Sequence, residues 1–305
     1  MSYEIEIDYS PAYELVISLF AYAKKNAVKG IALGSDWKKS VKSSLSASLS
    51  HELNNAPIEQ FTGLDLLIGS CPDKTTTRSF LDWLEALQPP EMMNLLARHV
   101  ESLPATILDQ KKQAVHLLRQ WDTEYFSKLD PIILENLKQD AETKQSWVSA
   151  MSPEALFEEA TNGIHQLPAP DLQVIRLIPQ YHLHPTNSSN HYKHMIVCFY
   201  ACDAAPARSV LPHPALQRLL NSLADPNRLS MLRFMSMQAR SFTELVQFSG
   251  LAKSTVHHHL VALRASGLIR VTAEGTSHVT YSLREETVNQ VTAKLNDYLQ
   301  WEGGR

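Results

Sequence analysis

Three cysteines in 305 residues are too few for a disulfide framework, so the expected setting is the reducing cytoplasm. No apolar run approaches the ~18 residues that a membrane span needs. The longest candidate, Leu15 to Ala23, is followed at once by Lys24 and Lys25. The start, Met1-Ser2-Tyr3-Glu4, has no basic stretch before an apolar one, so no secretory signal is expected. Charge of one sign is not in excess either: 28 Lys+Arg face 32 Asp+Glu, a formal net charge of −4. That balance argues against a protein that coats nucleic acid over its whole surface. The usual signatures of catalysis are missing. There is no G-x-x-x-x-G-K-[ST] loop, no G-x-G-x-x-G after a strand and no G-x-S-x-G elbow. His51-Glu52 lacks the second histidine of a zinc protease. Glu158-Glu159 and Glu285-Glu286 read as solvated helix faces. The expectation is therefore no enzyme and no cofactor.

What is present is enough apolar material for a sizeable core, 44% hydrophobic against 20% charged residues. The length suggests about two domains. The sharpest change in composition is Asp203 to Pro214, where Pro206, Pro212 and Pro214 cannot continue a helix or a central strand. The expected division is a domain over 1–205 and another over 213–305. Residues 213–305 hold ten Lys/Arg against seven Asp/Glu, a formal +3, which leaves −7 for residues 1–212. A basic part in an acidic chain suggests an anionic partner for that part.

The fold class expected is mainly α: a helical N-terminal domain with a small β-hairpin, then a C-terminal winged helix-turn-helix. Helical spacing recurs in Ala12, Leu15, Val16, Leu19 and Phe20, and in Ile107, Ala114, Leu117, Leu118 and Trp121. Leu45, Leu49 and Leu53 make the serine-rich stretch 43–50 a helix with a polar face. The β-rich runs at 172–178 and 195–200, with the polar loop Pro185 to Asn190 between them, predict the hairpin.

After residue 215 each element has a local signal. Asp225-Pro226 is an N-cap followed by proline at the first helical position. Ser241-Phe-Thr-Glu244 is a capping box. Gly250 supplies a tight turn. Val256, Leu260 and Leu263 give the second helix its buried stripe, and Gly267 stops it. Two strands around Ala273 to Thr276 form a wing. A last helix carries Val288, Val291, Leu295 and Tyr298 in a narrow seam suited to a partner helix. Two helices on a short glycine turn are a helix-turn-helix.

The runs Leu223-Ala-Asp-Pro-Asn-Arg-Leu-Ser-Met-Leu and Leu251-Ala-Lys-Ser-Thr-Val-His-His-His-Leu-Val-Ala-Leu-Arg-Ala-Ser-Gly-Leu-Ile resemble the winged helix of ArsR/SmtB-type bacterial transcriptional regulators. The resemblance is confined to about the last 90 residues. It implies a homodimer, built on the helices flanking the winged helix, that binds a pseudo-palindromic operator on double-stranded DNA, with repression as the expected outcome. It also implies a DNA-binding face of Lys253, Ser254, Thr255, His257 and His258 on the recognition helix. Thr276, Ser277 and His278 are implied in the wing, with Arg270 or Arg284 nearby. The family carries a small hydroxyl residue where this chain has His257, a departure that bears on base preference. His259, beside the apolar stripe, is expected to pack.

The N-terminal domain is larger than DNA binding requires, and an unknown small-molecule effector or a protein partner is expected for it. Two alternatives stay open. In one, His182, His184, His191 and His194 of the hairpin bind a zinc-type metal, as in a metal sensor. The family's two usual metal-site types are not expected here: 243–249 has no cysteine, and 285–301 has neither histidine nor cysteine. In the other, the winged helix is a protein-interaction module. Cys198 and Cys202 read as buried small hydrophobes.

Overall fold

The computed structural model describes residues 2–24, 31–55, 63–204, 212–274 and 278–300. The chain runs β1 (Glu4–Ile7), α1 (Pro11–Ala23), α2 (Gly34–Ser44), α3 (Ala47–Asn55), α4 (Leu64–Ser70), α5 (Thr77–Ala86), α6 (Pro89–Ala97), α7 (Ile107–Glu124), α8 (Pro131–Trp147) and α9 (Pro153–Ala160). It continues β2 (Ile164–Gln166), β3 (Val174–Gln180), β4 (Ser188–Tyr192), β5 (Met195–Ala201), α10 (Pro214–Leu223), α11 (Pro226–Met237), β6 (Arg240–Ser241) and α12 (Phe242–Ser249). It ends α13 (Lys253–Ala265), β7 (Ile269–Glu274), β8 (His278–Leu283), α14 (Glu285–Asn289) and α15 (Val291–Leu299). No helix among the described residues is long and apolar enough to cross a membrane.

These elements form two compact units. The larger comprises Tyr3–Ser146 and Asp171–Ala205. The other comprises Met1–Ser2, Trp147–Pro170 and Pro206–Arg305. Residues 147–170, assigned in the sequence to the first domain, thus group with the C-terminal region. The proline-rich boundary itself falls largely on 205–211, outside the described residues.

In the larger unit, helix starts follow local chemistry. Ser10 accepts from the Ala12 amide at 3.1 Å ahead of Pro11, and Thr76 accepts from Ser79 at 3.0 Å. The serine-rich stretch makes two helices instead of one: α2 ends at Ser44, and Ser46 accepts from the Leu49 amide at 3.2 Å to open α3. The expected hairpin is corrected. β3 and β5 pair in parallel, Val174 opposite Met195 through Gln180 opposite Ala201, in a sheet of order β1-β3-β5-β4. The real hairpin is β4–β5, with β5 inserted between β3 and β4. β4 is Ser-Ser-Asn-His-Tyr, a polar edge strand whose sequence reads as loop. β5 is buried on both faces and reads as a continuous apolar run, while β3 is interrupted by Arg176, Pro179 and Gln180. α1 packs on β3 of this sheet, and α4, α5 and α7 pack on α1, with fully buried Leu15, Phe80, Leu84, Leu118 and Trp121.

The C-terminal unit has its own core of Leu219, Met231, Leu232, Met235, Leu245, Val256, Leu260, Leu263, Leu268 and Ile269. Its sheet has the order β2-β7-β8-β6. β2 joins the wing in parallel with β7, Ile164 opposite Val271. The expected single last helix is two, α14 and α15, meeting at Gln290.

Candidate nucleic-acid interface

The helix-turn-helix is held by short-range bonds. Asp225 accepts from the Arg228 amide at 3.0 Å. Ser241 and Glu244 form the reciprocal capping box, with Glu244 accepting from the Ser241 amide at 2.8 Å. Gly250 takes φ +67°, a left-handed conformation that glycine adopts without a Cβ penalty. Glu244 also lies 3.4 Å from Arg240, whose guanidinium covers the Phe234 ring at 3.9 Å. Phe234 in turn stacks on Phe248 at 4.0 Å.

These contacts present α13. Val256, Leu260 and Leu263 face inward, while Lys253, Ser254, Thr255, His257 and His258 are exposed together on the outer face. Ala252 offers no side-chain cap, so the opening turn of α13 leaves backbone donors for another acceptor. An anion fits that end, where the helix dipole is also favourable. His259 is half-buried and accepts from Arg228 Nε at 3.3 Å, so it does pack.

The wing gives a different result for its expected residues. Thr276 and Ser277 lie outside the described residues; His278 opens β8, and only its backbone is described. Arg270 and Arg284 do not face an open phosphate site. Arg270 Nε donates to Glu158 at 2.8 Å, Arg284 Nε lies 3.4 Å from the same carboxylate, and Arg284 Nη2 donates to Glu159 at 3.1 Å. His165 Nδ1 is 3.1 Å from the other Glu158 oxygen. Glu158 is therefore a buried anchor, not a solvated helix residue. Nothing in the local pattern of 153–160 separates it from Glu159; only its partner in β7 does. The three carboxylates of the inserted segment, Glu154, Glu158 and Glu159, also offset most of the formal +4 of residues 206–305, which hold eleven Lys/Arg against seven Asp/Glu.

The histidines proposed for a metal are not brought together. Both ring nitrogens of His182 are used, Nδ1 by Glu14 and Nε2 by the Tyr125 hydroxyl at 2.7 Å. His194 Nδ1 meets the Asp171 carbonyl at 3.0 Å, and His191 is exposed on β4. No cluster of three metal-ligating side chains occurs among the described residues. Cys198 and Cys202 are buried, and burial pushes the Cys202 thiol well up, with Asp140 adding to the effect.

The two caps make one prediction. The Arg228 amide bonded to Asp225, and the Ser241 amide bonded to Glu244, hold both carboxyls below their usual range. A depressed folded-state pKa gives stability that is present above the unfolded value and lost as pH falls through the folded one. Asp225→Ala should cost about 1 kcal/mol at neutral pH. Urea unfolding should show the deficit shrinking below about pH 4 as the native cap protonates. A deficit constant down to the lowest pH would assign the loss to packing.

Residues 225–271 match the family model described as bacterial regulatory protein, arsR family. Over 80 residues the chain is 32% identical to the HTH-type transcriptional regulator YgaV of Escherichia coli (strain K12), covering 26% of this chain and 80% of the relative. The crystal structure of NolR from Sinorhizobium fredii matches at 24% identity over 27% of this chain and 82% of the other, with a TM-score of 0.23.

Proposed function

The chain belongs to the arsR family of bacterial regulatory proteins through its C-terminal part, and we propose that it is a cytoplasmic, non-enzymatic transcriptional regulator that binds an operator as a homodimer and represses. The observation that carries the reading is the outer face of α13: Lys253, Ser254, Thr255, His257 and His258 are exposed over a stripe of Val256, Leu260 and Leu263 that fixes the helix. In this reading α13 lies in the major groove. Lys253 and the open first turn hold a phosphate, and Ser254, His257 and His258 reach base edges. Thr276, Ser277 and His278 follow the adjacent backbone. The dimer forms on α10 and α15; α15 buries none of its residues within the chain, and Leu299 is 68% exposed. The larger unit receives the signal.

The test is fluorescence anisotropy on the chain's own upstream DNA and on a scrambled duplex, at two salt concentrations. His258→Ala should weaken binding to the upstream DNA by about 1–3 kcal/mol and leave the scrambled duplex nearly unaffected. Lys253→Ala should weaken both and reduce the salt slope by about one. Equal, salt-insensitive binding of the unaltered protein to both duplexes would remove the reading.

A further inference from the structure

The larger unit carries a half-open pocket of about 380 Å³, within the usual size range of a small-ligand site. Most of its wall is apolar: Val16 and Phe20 of α1, Leu118 of α7 and Phe199 of β5. Its polar end is built around Asp65, in the first turn of α4, which is only 5% exposed. The two oxygens of that carboxylate are met by neutral donors, the Tyr192 hydroxyl at 2.6 Å and the Asn190 amide at 2.9 Å.

A buried carboxylate is costly unless a cation or a full set of hydrogen bonds offsets it. No ion pair to Asp65 is present among the described residues, and a carboxylate accepts about four hydrogen bonds where two are made. The start of α4 favours an anion but supplies no full positive charge. Burial holds His99, which feels the Asp65 charge, toward its neutral form. Burial and Asp65 together keep the Tyr192 hydroxyl protonated, a donor and not a competitor. The same end thus combines a buried carboxyl group that has no ion pair among the described residues, aromatic rings suited to a cation, and an apolar wall.

We propose that this cavity binds a small organic ammonium ion with an apolar body, its N–H groups completing the Asp65 carboxylate and its hydrocarbon part lying against Phe20, Leu118 and Phe199. This goes beyond the DNA-binding reading and does not depend on it, because binding is measured without DNA.

Isothermal titration of the full chain with 4-phenylbutylamine, 4-phenylbutanol and 4-phenylbutyrate tests the site. One apolar body then carries a cation, a neutral group or an anion. The amine should bind at one site per chain and the other two at least about tenfold more weakly, the difference a charge-assisted hydrogen bond gives. Asp65→Asn should bring amine and alcohol to within about threefold, since it removes the charge that favours the amine. Its amide oxygen can still accept from Tyr192, and Asn190 can turn its own oxygen toward the new NH2. Val16→Trp, at a half-buried cavity wall, should abolish binding of all three by filling the chamber. If Asp65→Asn does not fold, the three-probe comparison and Val16→Trp still decide. The proposal is overturned if the alcohol binds as tightly as the amine or no amine binding occurs below about 1 mM, a level that leaves only weak association. Tightest binding of the carboxylate also overturns it, because exposed His191 at the wall and Lys24, whose Nζ lies 5.0 Å from the centre of the Phe20 ring, would then supply the recognition.

Discussion

Glu158→Ala is expected to cost the C-terminal unit about 3 kcal/mol, the low end of the range for breaking a buried ion pair by deleting one partner. The cost arises because one carboxylate serves three cationic or polar rings and forks. Glu158 sits at 10% side-chain exposure between Arg270, His165 and Arg284, and Arg284 is itself at 10%. Alanine leaves the Arg284 guanidinium with Glu159 and the Asn162 amide oxygen only. Arg270 is 38% exposed and recovers water, which keeps the loss from reaching the top of the range. The loss should be local first. β2 is tied to β7 by the Val271 amide on Gly163 at 2.7 Å and the Leu167 amide on Ala273 at 3.0 Å. Hydrogen exchange at those two amides should accelerate more than at the amides of α13. Glu158→Gln keeps the shape and one acceptor and should fall between the two proteins. Urea unfolding unchanged within about 0.5 kcal/mol would mean the cluster behaves as a surface pair.

That cluster also marks where the sequence stops being informative. Asp225-Pro226, the Ser241–Glu244 box, Gly250 and the Val256, Leu260, Leu263 spacing are all decided within a few residues, so the helix-turn-helix and its exposed face could be read directly. Arg270 finds its carboxylate 112 residues earlier in the chain, a pairing that no window contains. The same reason hides the sheet of the larger unit. β1 is four residues long and is defined by β3, Glu4 opposite Val174. β3 and β5 carry the β signal but not their direction, and the strand that explains it, β4, is too polar to register as one. Four histidines close in sequence suggested a metal, yet the fold gives His182 to Glu14 and Tyr125 and leaves His191 on the edge. Asp65 carries no pattern at all; its significance comes from Tyr192 and Asn190 on a strand far along the chain.

Trp121→Ala should be the most damaging single change in the larger unit, about 3–5 kcal/mol. The ring is fully buried, its centre 4.6 Å from that of Tyr125 and 5.1 Å from that of Tyr22. Its indole N–H donates to Ser18 at 2.9 Å. Two contributions can be separated. Trp121→Phe keeps most of the packing and loses the donor, so it should cost about 1 kcal/mol, with Ser18 still donating to the Leu15 carbonyl at 2.8 Å. Alanine loses the ring as well and opens a cavity beside Tyr125. That position matters because the Tyr125 hydroxyl accepts from Trp37 at 2.8 Å and meets His182, whose other nitrogen is on buried Glu14. Burial pushes the Tyr125 hydroxyl well up, so it keeps its proton beside the imidazole. Letting water reach this chain removes the reason for its order, and the effect should exceed what lost area alone predicts. Leu118, one turn earlier on α7, lines the Asp65 cavity. Trp121→Ala should therefore also weaken 4-phenylbutylamine binding, while Trp121→Phe leaves it intact. Equal losses of stability for the two variants would place the energy in the Ser18 hydrogen bond instead of the ring.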